Sequence, residues 1–427
     1  MALKRRHLLL GTAAVGAGAA LMLRPSDQGG PPEAYFQALA RTLAALPAMP
    51  TLVVDRERLR ANLASVRRIA HARLPLRVVV KSLPALGLVD EAMAAWGTQR
   101  AMLFNAPQLA LVARERPATD ILLGKPLPAS AARWALEQPA GAGFDATRQI
   151  QWLVDTPARL AEYKALAQAR GQALRVNVEI DVGLHRGGVE SEDELARMLA
   201  GLRDEPLLKF AGFMGYDAHL AAIPDLFGNR AEAQAEARRR YAAALDLARH
   251  QLGEVGGGGS GWTLNAAGSP TFHLHDDQHA PNELSVGSAA VKPADFDKPS
   301  LAALEPAAFI ATPVLKTMPQ FRLPVGAQAV SRLAGWWDVN QQRALAIHGG
   351  HWLADPVSPP GVSPSGLYGP SSNQQVLVAS PSVPLKVGDW LFLRPRQSEA
   401  VFLQFGAIAV VDQGQVVGHW PVFPASA

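Results

Sequence analysis

Apolar positions along the chain fall into two textures. Between Pro50 and about residue 305, short apolar runs alternate with longer stretches whose apolar residues recur every three or four positions. The runs lie at 77–81, 100–104, 120–124, 142–145, 175–181, 209–216, 262–267 and 283–287. Stretches such as 158–169 and 231–252 carry the period of a helix packed on one face. Strand and helix alternating in this way predict a parallel (β/α)8 barrel of the TIM type, with right-handed connections. The glycine run at 256–259 predicts a loop leading into the seventh strand. Residues 34–46 predict a helix ahead of the first run.

From about residue 307 the texture changes. Short runs at 327–333, 344–348, 375–379, 390–393 and 407–411 are separated by Pro/Gly turns, and 356–370 is rich in Pro, Ser and Gly. This predicts an all-β domain. A barrel of this type takes roughly 250 residues, so 427 residues accommodate it with one further domain. The expected organisation is a segment 1–30, a barrel over 31–305 and a C-terminal β domain over 306–427.

The first thirty residues have their own pattern. Lys4-Arg5-Arg6 precede an uncharged, Ala/Gly-rich apolar stretch at 8–22, and a polar Gly/Pro linker follows at 26–32. The stretch is short for a spanning helix and suits a signal segment. Paired arginines followed by x-Leu-Leu resemble a twin-arginine export signal, which implies a periplasmic destination. No clear small-x-small cleavage site follows Met22, so an uncleaved membrane anchor is the alternative.

Composition adds exclusions. Apolar residues make up 48% and charged residues 18%, a globular balance. With no cysteine, disulfides and thiolate chemistry are out. The net charge of +4 comes from scattered basic residues, apart from Arg238-Arg239-Arg240, so no nucleic-acid partner is expected.

Barrel chemistry sits at the carboxyl ends of the strands. The first strand ends in Lys81. Lysine is rarely buried, and a desolvated pocket favours the neutral amine that condenses with an aldehyde. Lys125 ends the third strand in the same way, so position alone does not choose between them. The fifth strand runs Glu179-Ile180-Asp181-Val182-Gly183 into a turn carrying Arg186. An arginine there either keeps a neighbouring heterocyclic nitrogen unprotonated or pairs with a carboxylate at the rim. The sixth ends in Gly215-Tyr216, with His219 following. Gly268-Ser269-Pro270-Thr271 and Gly287-Ser288 end the last two strands, where barrels commonly bind phosphate. His273, His275, Asp276 and His279 have spacing that could ligate a metal, but a polar loop over the mouth is the favoured reading. His348 and His351 flank a glycine pair that reads as a turn between strands, and Trp336-Trp337 reads as core or interdomain packing.

In this order the motifs resemble the fold-type III pyridoxal-phosphate enzymes, within them the D-threonine aldolase and D-serine dehydratase group related to alanine racemase. Pro50-Thr51-Leu52-Val53-Val54-Asp55, Leu59 and Asn62 are also typical of that group, and the resemblance extends to about Pro421. It implies pyridoxal 5'-phosphate held by Lys81 as the Schiff-base lysine, with Arg186 facing the pyridine nitrogen. Gly268, Ser269, Gly287 and Ser288 would cradle the phosphate, with Tyr216 at the cofactor site. It further implies an amino-acid substrate and a head-to-tail homodimer.

The chain departs from the family pattern in two places. The lysine is usually followed by Thr-His, and here Ser82-Leu83 follow. The metal-dependent members carry His-x-Cys or His-x-Asp where Gln397 and Glu399 stand. Glutamine is a poor zinc ligand, so no metal ligand is assigned, a divalent metal stays open, and Gln397 and Glu399 become candidate catalytic residues. The expected activity is a lyase acting on a D-3-hydroxy amino acid, by aldol cleavage or dehydration. The alternatives are an amino-acid racemase, for which Tyr368 is the tyrosine available in the β domain, and a cofactor-binding protein without turnover.

Overall fold

The computed structural model describes residues 24–70, 74–224, 227–253 and 261–424. The paired arginines and apolar stretch expected to form an export signal, and the loop expected at 256–259, lie outside them.

Eight parallel strands close into a barrel: Leu76–Val79, Arg100–Leu103, Asp120–Leu123, Ile150–Val154, Leu174–Glu179, Leu208–Gly215, Thr263–Ala266 and Glu283–Val286. The first pairs with the eighth, Val78 opposite Val286. Four of the helices around the barrel begin where a side chain accepts an orphan N–H. Asp55 accepts from Arg58, Asn105 from Gln108, Thr156 from Arg159 and Ser191 from Glu194.

The amino ends of the strands close over a charged floor. Arg77 is fully buried and pairs with Glu283 at 2.6 Å and Asp120 at 2.7 Å. Asn265 donates to Glu283 at 2.8 Å and to Ser285 at 2.9 Å. Breaking such a buried pair costs more than the intact pair contributes, so the floor holds the strands in register and leaves the carboxyl ends to chemistry.

The fourth strand is not where the sequence pattern put it. Ala142 and Gly143 lie in a turn, with Gly143 at φ 87°, and Asp145 caps the helix Ala146–Gln149. The strand is Ile150–Val154, buried along its whole length. Gln151 breaks its apolar run, because this position points into the barrel and donates to Thr263 at 2.9 Å.

The second compact unit carries a nine-stranded sheet among the described residues. Its path runs Val362–Pro364, Gln374–Ala379, Arg343–His348, Ala308–Met318, Thr51–Asp55, Ala407–Asp412, Gln415–Pro421. Trp390–Pro395 pairs with both Ala308–Met318 and Ala354–Ser358. One run expected as a strand, 327–333, is part of the helix Gln328–Trp337.

By contact the chain crosses between the two units several times. Residues 24–53 group with the sheet, because Leu39 and Leu43 of helix Ala34–Leu43 pack with Val53, Phe309 and Phe392. Gln397–Val410 and residues 418–424 group with the barrel. There Val401 and Phe402 are fully buried, and Phe423 donates its N–H to Pro84 at 2.8 Å.

Candidate active site

After the first barrel strand the chain takes one 3₁₀ turn, Val80–Ser82, which carries Lys81 at the mouth. Its Nζ lies 4.9 Å from the Phe104 ring centre and 3.8 Å from Glu399 Oε1. The side chain is 44% exposed, so the burial expected for it is not met. Glu399 opens the short helix Ser398–Phe402, which the chain's C-terminal return brings back to the barrel.

Arg186 is set by the loop after the fifth strand. Asp181 accepts the N–H groups of Gly183 at 2.9 Å and His185 at 3.0 Å. Gly188 has φ 94°, and a Cβ there would meet the Ile180 carbonyl carbon at 2.6 Å, so the turn requires glycine. The Arg186 guanidinium stacks over the Tyr216 ring at 4.7 Å. Burial raises the Tyr216 hydroxyl above its ordinary range, and the Arg186 charge opposes that. Burial likewise pushes Glu179 up to about 7, helped by the charge of Asp155 and opposed by Arg186.

The turns ending the last two strands lock together. Ser269 Oγ accepts N–H groups from Gly287 at 3.1 Å and Ala289 at 3.0 Å. Ser288 Oγ donates to Ser82 Oγ at 2.9 Å. Thr271 Oγ1 accepts from the Gly268 N–H at 3.2 Å and donates to buried Asp217 at 2.6 Å, which His275 also contacts at 2.6 Å. A Cβ on Gly268 would lie 2.7 Å from the Tyr216 ring, and one on Gly287 would lie 2.7 Å from the Val79 carbonyl.

A cavity of about 150 Å³ gathers Lys81, Arg186, Tyr216, Gly268, Ser269, Gly287, Ser288 and Glu399 in its walls. Gln397 is not among them: its side chain donates to Asp295 at 3.1 Å at the surface. Two residues apart around the start of a helix, Gln397 and Glu399 face different ways. Lys125 is exposed and does not line the cavity, although Gly124 beside it does. Sequence reasoning missed Ser82, Phe104, Asn265 and Phe296 in the walls, and Asp217 behind them. The Thr of Gly-Ser-Pro-Thr was the available signal for a carboxylate partner.

The histidine loop divides its contacts, His275 to Asp217 and His279 to Asp276 at 2.5 Å. Among the described residues, Asp181, His185 and Glu190 bring three ligand atoms close enough for a cation. Arg240 lies 3.8 Å from Asp181 and opposes one there. In the sheet unit, Gly349 and Gly350 turn with φ of 76° and 138° beside His351, and half-exposed Tyr368 meets Phe321 edge-on at 6.2 Å. Trp336 and Trp337 are surface residues rather than core.

Residues 54–293 match the alanine racemase N-terminal domain. Over 148 residues the chain is 28% identical to a 3-hydroxy-D-aspartate aldolase of Paracoccus denitrificans, a match covering 34% of this chain and 36% of that protein's length. Its fold resembles that of D-threonine aldolase from Filomicrobium marinum (TM-score 0.67, 22% identity, 89% of this chain and 98% of that one). It also resembles D-threo-3-hydroxyaspartate dehydratase from Delftia (TM-score 0.68, 16% identity, 90% of this chain and 100% of that one). With more than half its length matched, and with lysine, arginine and paired Gly-Ser turns meeting at one barrel mouth, this chain belongs to the alanine racemase N-terminal domain family of fold-type III pyridoxal-phosphate enzymes.

Proposed function

We propose that the chain is a lyase that uses pyridoxal 5'-phosphate, held by Lys81, to cleave or dehydrate a D-3-hydroxy amino acid. The observation that carries this reading is one cavity with an amine, a fixed guanidinium and a carboxylate in its walls: Lys81, Arg186 and Glu399. The similar proteins of Paracoccus, Filomicrobium and Delftia support it, since their names describe aldol cleavage or dehydration of such amino acids.

The residues present fit the cofactor. Lys81 would take its aldehyde, Arg186 would face its ring nitrogen, and the Ser269 and Ser288 turns would take its phosphate, where the missing Cβ atoms of Gly268 and Gly287 leave the approach open. When bound, the cofactor supplies an electron sink for charge at the substrate's α-carbon. Arg186 cannot give up its proton, so it would leave that nitrogen an acceptor and the sink weak. Lys81 Nζ moves the proton at the α-carbon. Glu399 Oε1, 3.8 Å from that amine, is placed to take the proton of the substrate's 3-hydroxyl. Collapse of the alkoxide then breaks the α–β carbon bond and releases an aldehyde, and a proton returned by Lys81 to the α-carbon completes glycine. Removal of the α-proton by Lys81, with a proton passed to the 3-hydroxyl, instead expels water.

Incubating the purified chain and cofactor with D-threonine, D-serine and D-alanine separates the readings. Acetaldehyde and glycine, or a 2-oxo acid and ammonia, support the lyase. An L-enantiomer alone, or no turnover, overturns it. The proposal includes a head-to-tail homodimer, which a fully active monomer at micromolar concentration would remove. It also includes export through Arg5-Arg6, for which Arg5→Lys/Arg6→Lys should leave the protein in the cytoplasm.

A further inference from the structure

The helix Gln328–Trp337 in the sheet unit is inside out. At 100° per residue, Ala329, Val330, Leu333, Trp336 and Trp337 share an arc of about 120°. Every one of them is exposed, Leu333 at 64%, Trp336 at 57% and Val330 at 50%. The opposite arc holds Gln328, Ser331 and Gly335, and Ser331 is the helix's one buried residue. Ser331 Oγ donates to the Gln328 carbonyl at 3.0 Å and accepts from the Leu323 N–H at 3.2 Å, while Gln342 donates to the Gly335 carbonyl at 3.0 Å. The groove beside the helix is mixed: Gln320, Arg322 and Gln342 line it together with Phe321, Pro381 and the helix's own Trp336. A helix that turns its polar side to the protein and its aromatic side outward needs an apolar medium on that side.

The chain itself points to the medium. Arg24 is the first described residue, and it sits on this helix: its guanidinium lies 5.1 Å from the Trp336 ring centre, and its Nε donates to the Trp337 carbonyl at 3.1 Å. Asn340, just past the helix, pins the next residues by donating to the Ser26 carbonyl at 2.8 Å and accepting from the Gln28 N–H at 2.9 Å. The uncharged apolar stretch 8–22 therefore joins the fold at the edge of the exposed face. Arg24 over the Trp336 ring, and exposed Arg332 one turn before Trp336 on the same helix, put positive charge suited to anionic headgroups beside that face. Tryptophan flanked by arginine is the side-chain pair that settles at a bilayer's interface.

We propose that the face formed by Val330, Leu333, Trp336 and Trp337 lies on a lipid bilayer, with the N-terminal apolar segment as the tether that holds it there. The sheet unit then carries a membrane-resting surface, independent of the reaction proposed for the barrel.

The test is tryptophan quenching with the full chain reconstituted into phosphatidylethanolamine/phosphatidylglycerol vesicles that contain brominated acyl chains. Two of the nine tryptophans should be quenched, and Trp336→Phe/Trp337→Phe should remove that quenching with circular dichroism unchanged. Leu333→Arg, which leaves all nine tryptophans in place, should weaken it as well. Absent quenching, or equal quenching in the Phe variant, overturns the proposal. So does a halving of sedimenting mass by Leu333→Arg without lipid quenching, which would assign the face to a second copy of the chain.

Discussion

The candidate cavity has two kinds of wall. One is the barrel's own: Lys81, Arg186, Tyr216 and the Gly-Ser turns each stand one turn beyond a strand end, locked by hydrogen bonds such as Ser269 to Gly287 and Ser288 to Ser82. The other is Glu399, supplied by a short helix from a segment more than a hundred residues further along the chain. The first wall is what a cofactor needs to be held. The second brings a carboxylate to within 3.8 Å of the Lys81 amine. In the proposed function Lys81 both holds the cofactor and reacts, whereas Glu399 only reacts, so substitutions in the two walls should separate retention from turnover.

The largest effect belongs to the first wall. Lys81→Ala should abolish both the cofactor's visible absorbance and turnover, while Lys125→Ala should leave both intact; a coloured, active Lys81→Ala protein would place the amine elsewhere. Next, Glu399→Gln should lower kcat by about 10²–10⁴-fold, the usual size for a lost acid/base, with absorbance intact and activity indifferent to EDTA. Activity lost to EDTA and restored by Mn2+ would recast Glu399 as a metal ligand. Gly287→Ala drives a Cβ to within 2.7 Å of the Val79 carbonyl, so it should weaken cofactor retention more than it lowers kcat at saturation. Equilibrium dialysis against the cofactor reads this directly.

The smallest effect is on stability. Burial raises the Glu179 carboxyl from its ordinary 4.5 to about 7. Its contribution to stability is therefore complete below pH 4.5 and is lost as pH rises through 7. Glu179→Gln stays neutral throughout, so it should match the parent near pH 4.5 and exceed it above pH 8 by up to about 3 kcal/mol. Denaturant melts at the two pH values check this. A parent that is more stable at pH 8 than Glu179→Gln would reverse the sign.

The two walls also differ in how far the sequence revealed them. The Asp181-to-Val189 turn and both Gly-Ser turns are local signals, visible as glycine turns at strand ends, but the choice of Lys81 over Lys125 came from family resemblance. Glu399 was reached through family resemblance, and so was Gln397, whose side chain in fact faces Asp295. Spacing along a chain does not tell which side of a short helix start each side chain takes. The fourth strand was misplaced because Gln151, a polar residue inside the barrel, broke its apolar run. The helix Gln328–Trp337 was read as a strand because the run was cut at Leu333, which hid the helical spacing of Ala329, Val330, Leu333, Trp336 and Trp337.

Reduction of the cofactor-loaded protein with borohydride, followed by peptide mapping, tests the central claim most directly. The account predicts loss of the yellow absorbance and a single pyridoxyl adduct on Lys81. An adduct on Lys125, or none on any lysine of the barrel, would contradict it.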